Sequence, residues 1–142
     1  MLAVNPYLNF PGNTEEAFNF YKSVFGGDFP GIMRFKDMPG GEEVSAADKD
    51  KIMHMSIPLG KNNMLMATDA LESMGQKVVF GNSVSIAITA ESKEEADKLF
   101  NGLSAGGKVT MPMADQFWGD YFGDTTDKFG IHWMVVYTPD KK

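Results

Sequence analysis

Two stretches of this chain repeat each other 79 positions apart, and that repeat limits the possible folds more than any single segment does. Asn13 matches Ser92, Glu15-Glu16-Ala17 matches Glu94-Glu95-Ala96, and each stretch runs on to a Gly-Gly pair, Gly26-Gly27 and Gly106-Gly107. In the first, Ala17, Phe18, Tyr21, Val24 and Phe25 recur at spacings of three and four, which builds one apolar helix face behind an Asn13 cap. In the second, Ser92 and Glu95 form a Ser-x-x-Glu capping box, and Ala96, Leu99, Phe100 and Leu103 make the face. Gly-Gly ends both helices because glycine enters the left-handed region without penalty.

Strand signals surround each helix in the same order. Asn5 to Phe10 reads as a strand stopped by Pro11-Gly12, and Asp28 to Lys36 as a second, weakened by Pro30-Gly31. Asp37 to Lys51 reads as a polar, mobile loop, and Ile52 to Ile57 and Met64 to Ala67 as two strands about the turn Leu59 to Asn63. After a less regular passage the order begins again. Ser83 to Thr89 alternates Val84, Ile86 and Ile88 with small or polar residues, and three strands follow the second helix at Lys108 to Met113, Trp118 to Asp124 and Ile131 to Tyr137. Asp127-Lys128-Phe129-Gly130 is the turn that joins the last two. The expectation is an α+β fold, one domain spanning residues 1–142 made of two βαβββ modules, about 1–78 and 79–142. Their curved mixed sheets surround a shared cleft, with the helices on the outer faces.

Bulk properties narrow the function classes. A chain of 142 residues buries a core without staples, and with no cysteine it has neither disulfides nor thiolate chemistry. A net charge of -6 with scattered Lys and Arg opposes a phosphate backbone, so nucleic acid is not an expected partner. No run approaches the roughly 18 apolar residues of a membrane span, and Met1 to Pro6 lacks the character of a signal peptide. The expectation is a cytoplasmic protein with no membrane partner.

The duplicated βαβββ order and Asn5-Pro6-Tyr7-Leu8-Asn9-Phe10-Pro11-Gly12-Asn13 resemble the glyoxalase, bleomycin-resistance and extradiol-dioxygenase superfamily, also called vicinal oxygen chelate. Phe18 to Gly27, Ile52-Met53-His54, Leu65 to Asp69, Gly106 to Pro112, Phe117-Trp118-Gly119 and Asp127 to Gly130 resemble its PhnB-like subfamily, over almost the whole chain. The superfamily's enzymes hold a divalent metal through His, Glu or Gln at positions that match Pro6, Met66, Ser85 and Met134 here. Thioethers, a hydroxyl and a proline do not suit a hard or borderline cation, so neither a metal nor another cofactor is expected. Some relatives are described as ubiquinone methyltransferases, yet no Gly-rich loop links a strand to a helix in this chain. The resemblance also implies a homodimer.

Candidate functional residues come from the two histidines and from the strand methionines. His54 and His132 are candidate general bases, each weighed against a hydrogen-bonded histidine without a catalytic role. Met66 and Met134, with Trp118 and Tyr121 as a stacking wall, are candidate ligand contacts in the inter-module cleft, while Arg34, Asp69 and Asp124 are polar groups that can orient a ligand. Core filling is the alternative for the methionines. Three functions fit: a protein that binds a small organic ligand, a metal-dependent or His-assisted lyase, isomerase or dioxygenase, and an interaction module with a filled cleft.

Overall fold

A computed structural model describes residues 1–139. It divides into two compact units, Met1–Val79 and a second beginning at Phe80. The first unit contains β1 (Tyr7–Phe10), α1 (Thr14–Phe25), β2 (Ile32–Arg34), β3 (Ile52–Leu59) and β4 (Asn63–Asp69). Short 3-10 turns at Phe35–Asp37, Gly41–Glu43 and Glu72–Met74 fill its connections. The second unit contains β5 (Ile86–Thr89), α2 (Lys93–Ser104), β6 (Lys108–Asp115), β7 (Tyr121–Thr126) and β8 (His132–Tyr137).

Both units close their sheets in one way. The orders are β1-β4-β3-β2 and β5-β8-β7-β6, so the first strand pairs parallel with the last and the remaining pairs are antiparallel. Two four-stranded mixed sheets with one helix each are the α+β duplication expected from the 79-residue repeat. Among the described residues no helix is long and apolar enough to cross a membrane.

Each helix covers one face of its own sheet. In the first unit Ala17, Phe18 and Tyr21 on α1 are buried with Phe10, Met55, Ile57, Leu65 and Ala67. Burying a side chain such as Phe18 stabilises the unit by roughly 1.5–3 kcal/mol. In the second, Ala96, Phe100 and Leu103 on α2 are buried with Trp133 and Val135. Gly123 on β7 lies against α2 so closely that a Cβ there would come within 2.7 Å of the Phe100 ring and 2.5 Å of Met113 Sδ. Side chains of alternate residues, among them Tyr7, Asn9, Met66 and Thr68 in the first sheet, point to the face the helix leaves open.

Several boundaries differ from the sequence expectation for identifiable reasons. β2 is three residues long, because Pro30 has no N–H for the ladder and the chain turns into a 3-10 helix at Phe35. β7 begins at Tyr121 and not at Trp118. The chain reverses at Gly119, whose φ is +103° and whose N–H donates to Gln116 O at 3.0 Å, so Trp118 belongs to the β6–β7 turn. Asn13 does not cap α1 with its side chain. Asp69, at the end of β4, does that work: its Oδ1 accepts from Thr14 N at 2.9 Å and its Oδ2 from Ile52 N at 2.8 Å. One buried carboxylate thus ties the helix start to β3 and β4. The α2 cap is nearer the expectation, with Ser92 Oγ accepting from Glu95 N at 3.0 Å, but Glu95 reaches back to Glu91 N at 2.8 Å and not to Ser92.

Candidate functional site

The first unit contains a pocket of about 570 Å³. Its floor is the open face of the sheet, with Asn9 from β1, Met53 from β3 and Thr68 from β4. One wall is formed by Phe35, which was expected in the second strand, with Met38 and Val44 from the segment expected to be a mobile loop, and the other is the passage after β4, with Leu71, Ser73, Met74 and Gln76. Aromatic, aliphatic and thioether surface dominates, and a few hydrogen-bonding groups interrupt it. That is the usual make-up of a small-molecule site, and the volume falls in the range such sites occupy.

The loop wall is built and fastened. Asp48 is buried and accepts three hydrogen bonds: Oδ1 from Lys51 Nζ at 3.0 Å, and Oδ2 from Ser45 Oγ at 3.1 Å and Ser73 Oγ at 2.6 Å. The Ser73 bond joins the two walls of the pocket. Together the Ser73 and Lys51 bonds hold the Asp48 carboxyl below its ordinary range, since each favours the ionised form. At the loop's start Arg34 grips Glu15 on α1 through both terminal nitrogens, at 3.0 and 2.7 Å, and donates to Asp50 O at 2.8 Å. The Glu15 carboxyl is lowered by that Arg34 hydrogen bond, and Lys36 lowers Asp50 in the same way at 2.8 Å. Gly41 lets the loop fold back on itself, because a Cβ at that position would collide with the Lys36 carbonyl.

Neither the two histidines nor Met66, Met134, Trp118 and Tyr121 line this pocket. Met66 is half-buried on β4, in register with Tyr7 and Ser56. His54 on β3 pairs with Met33, and its Nδ1 lies 3.4 Å from Tyr7 Oη with the rings 5.8 Å apart. In the second unit, His132 has both nitrogens engaged. Nε2 faces the Gly81 carbonyl at 2.8 Å, which only accepts, so this nitrogen carries the proton and Nδ1 accepts from Thr126 Oγ1 at 2.7 Å. Such a ring is held in place by its neighbours, with both nitrogens hydrogen-bonded. Met134 is half-buried on β8, between Ala87 and Asp124 in register.

Trp118 is half-exposed in the β6–β7 turn, donates Nε1 to Asp120 Oδ2 at 3.0 Å, and stands edge-on to Phe117 and Phe122. Tyr121 turns to the helix side. Its hydroxyl donates to Asp97 Oδ1 on α2 at 2.6 Å, Lys93 sits 4.5 Å over its ring, and the Asp97 hydrogen bond pushes the phenol up to about 12. Of the polar groups considered, Asp69 alone reaches the pocket, Arg34 is spent on Glu15 and the loop, and Asp124 lies beside Met134 in the second sheet.

Sequence reasoning missed the pocket because its wall residues lie in irregular segments. The signal available was Met38-Pro39-Gly40-Gly41 and Met74, apolar residues within polar stretches.

The four positions matching the superfamily's metal ligands remain unsuited to a hard divalent ion. Pro6 lends only its carbonyl, already bonded to Met66 N at 3.1 Å, and Met66, Ser85 and Met134 supply two thioethers and a hydroxyl. Among the described residues no three His, Asp or Glu side chains gather into a metal-holding group.

Residues 3–136 match the family model described as 3-demethylubiquinone-9 3-methyltransferase. The structure is similar to that of protein PA1353 from Pseudomonas aeruginosa, at 39% identity and a TM-score of 0.85, covering 99% of this chain and 100% of that one. It is also similar to the PhnB protein from Bacillus cereus, at 26% identity and a TM-score of 0.77, covering 95% and 98% of the two chains. With a glyoxalase/bleomycin resistance protein/dioxygenase family enzyme from Burkholderia phytofirmans PsJN it shares the fold, at 17% identity and a TM-score of 0.63 over 95% of this chain and 99% of that one.

Proposed function

This chain belongs to the PhnB-like family of the glyoxalase superfamily, and from that premise we propose that it binds a small, largely apolar organic molecule in the pocket of its first unit. One observation carries the reading. A cavity of about 570 Å³ is walled by Phe35, Met38, Val44, Met53, Leu71 and Met74, and the segment that roofs it is fastened at Asp48 and Arg34. Methionine suits such a site because its thioether adapts to varied apolar shapes. The family's methyltransferase description finds no support in the two strand-to-helix turns, Pro11-Gly12-Asn13 and Ala90-Glu91-Ser92, which lack a Gly-rich loop.

The methionines also supply the test. With methyl-labelled methionine, Met38, Met53 and Met74 report the pocket, while Met111 and Met134 in the second unit serve as controls. Addition of a screen of small aromatic compounds is expected to shift the first three methyl signals. A screen that leaves all three unmoved overturns the reading.

A second reading, a His-assisted lyase, isomerase or dioxygenase, draws on His54 alone. Among the described residues Tyr7 is its one hydrogen-bond contact, at 3.4 Å from Nδ1, which leaves Nε2 without a hydrogen-bond partner among them. Under this reading a reaction found for the protein falls at least about a hundredfold in His54→Gln, the usual weight of a general base. Unchanged turnover in that variant removes His54 from the chemistry.

A further inference from the structure

The charges around the pocket are of one sign. Glu43, Asp48 and Asp69 line it, and no Lys or Arg does. Asp48 is neutralised by Lys51 at 3.0 Å, and the buried Asp69 turns its carboxylate to the N-terminus of α1, which leaves Glu43 as the acid without a partner of opposite charge. Glu43 is exposed, where it stands at the edge of the pocket. Of the nearby cations, Arg34 is paired with Glu15 and Lys36 with Asp50.

Resting on the proposed binding function, we infer that the pocket selects organic cations: an aromatic or aliphatic body carrying an amine, in preference to the neutral analogue, with carboxylates excluded. The apolar walls take the body of such a ligand. Glu43 at the mouth sets a negative potential where its charge comes to rest, and a pocket wall of low dielectric keeps that potential from being fully screened. Phe35 and the thioethers add to the same preference, since an aromatic face attracts a cation. An anion would meet Glu43 and no Lys or Arg among the lining residues.

Calorimetric titration of the full chain at pH 7 with naphthylmethylamine, naphthylmethanol and naphthoate tests this, because the three share one ring system and differ in charge. The amine is expected to bind about tenfold more tightly than the alcohol, the order of one charge pair near a protein surface after desolvation, with naphthoate weakest. Raised salt and Glu43→Gln each narrow the gap between amine and alcohol, and the exposed position of Glu43 leaves folding of that variant intact. Naphthoate binding as tightly as the amine, with the Met38, Met53 and Met74 methyl signals shifting, would overturn the charge preference and leave the pocket reading standing. An amine-to-alcohol ratio untouched by both salt and Glu43→Gln overturns it as well. Absence of binding by all three probes, or shifts confined to other methionines, overturns both.

Discussion

Asp127 accepts hydrogen bonds from Phe129 N at 2.8 Å, Ile131 N at 3.1 Å and, through its other oxygen, Trp133 Nε1 at 2.8 Å. It therefore shapes the turn between β7 and β8 and also anchors the largest fully buried side chain of the second unit's core. Removing the carboxylate strands a buried indole N–H and two backbone donors, each of which costs about 1–3 kcal/mol when unpaired. Some of that is recovered as the turn relaxes toward water. Asp127→Ala is expected to lower stability by roughly 3 kcal/mol, and Asp127→Asn by less, since an amide oxygen still accepts. Urea unfolding of the three proteins measures both, and equal midpoints for wild type and Asp127→Ala would show that the turn holds without its carboxylate. The turn was legible in Asp-Lys-Phe-Gly, but the indole bond was not. It depends on β8 presenting Trp133 to the helix side, which no local pattern specifies.

At the scale of elements, the segment between β2 and β3 separates what periodicity reveals from what it does not. Both helices and their Gly-Gly stops were legible, because a 3.6-residue apolar stripe and left-handed glycines are local signals. The pocket wall was read as a polar, mobile loop. What fixes it is the bond from Ser73 to Asp48, 25 positions apart in the chain, and such a contact leaves no trace in spacing. Strand periodicity led to Met66 and Met134 as candidates, and the pocket is lined by four methionine and phenylalanine residues of which three lie in irregular segments.

Asp48 gives the wall a pH dependence whose sign follows from its depressed carboxyl. Ionised Asp48 stabilises the folded state above the group's ordinary value of 3.8, and that contribution is lost as the pH falls through the lower folded value. The urea midpoint of the wild type is expected to drop between pH 6 and pH 3 by more than that of Asp48→Asn, which has no proton to gain. The other carboxylates of the chain contribute equally to both proteins and cancel in the comparison. Parallel pH profiles would mean that the carboxylate's charge is irrelevant to how the wall is held.

For the whole molecule, the exposed apolar surface argues for a homodimer. Phe117 is 97% exposed and Trp118 50%, and they stand edge-on to each other at 5.0 Å in the β6–β7 turn, with Val109 and Met111 of β6 also exposed. A phenylalanine moved from water into a contact gains about 1.5–3 kcal/mol, so a monomer forgoes a gain that a second copy can supply. Extension of the sheet is not the means we expect. β6 is an edge strand, but it carries Pro112 and loses register between Val109 and Met111 and again between Met111 and Ala114, devices that discourage strand addition. Contact through side chains at the turn is the route we expect. Size-exclusion chromatography with light scattering at micromolar concentration is expected to give about twice 15.6 kDa, and Phe117→Ser, which removes only exposed surface, is expected to return the mass of one chain. A wild-type monomer overturns the dimer itself. If instead the wild type is dimeric and Phe117→Ser remains so, the copies meet on another surface and the exposed turn must have a different partner.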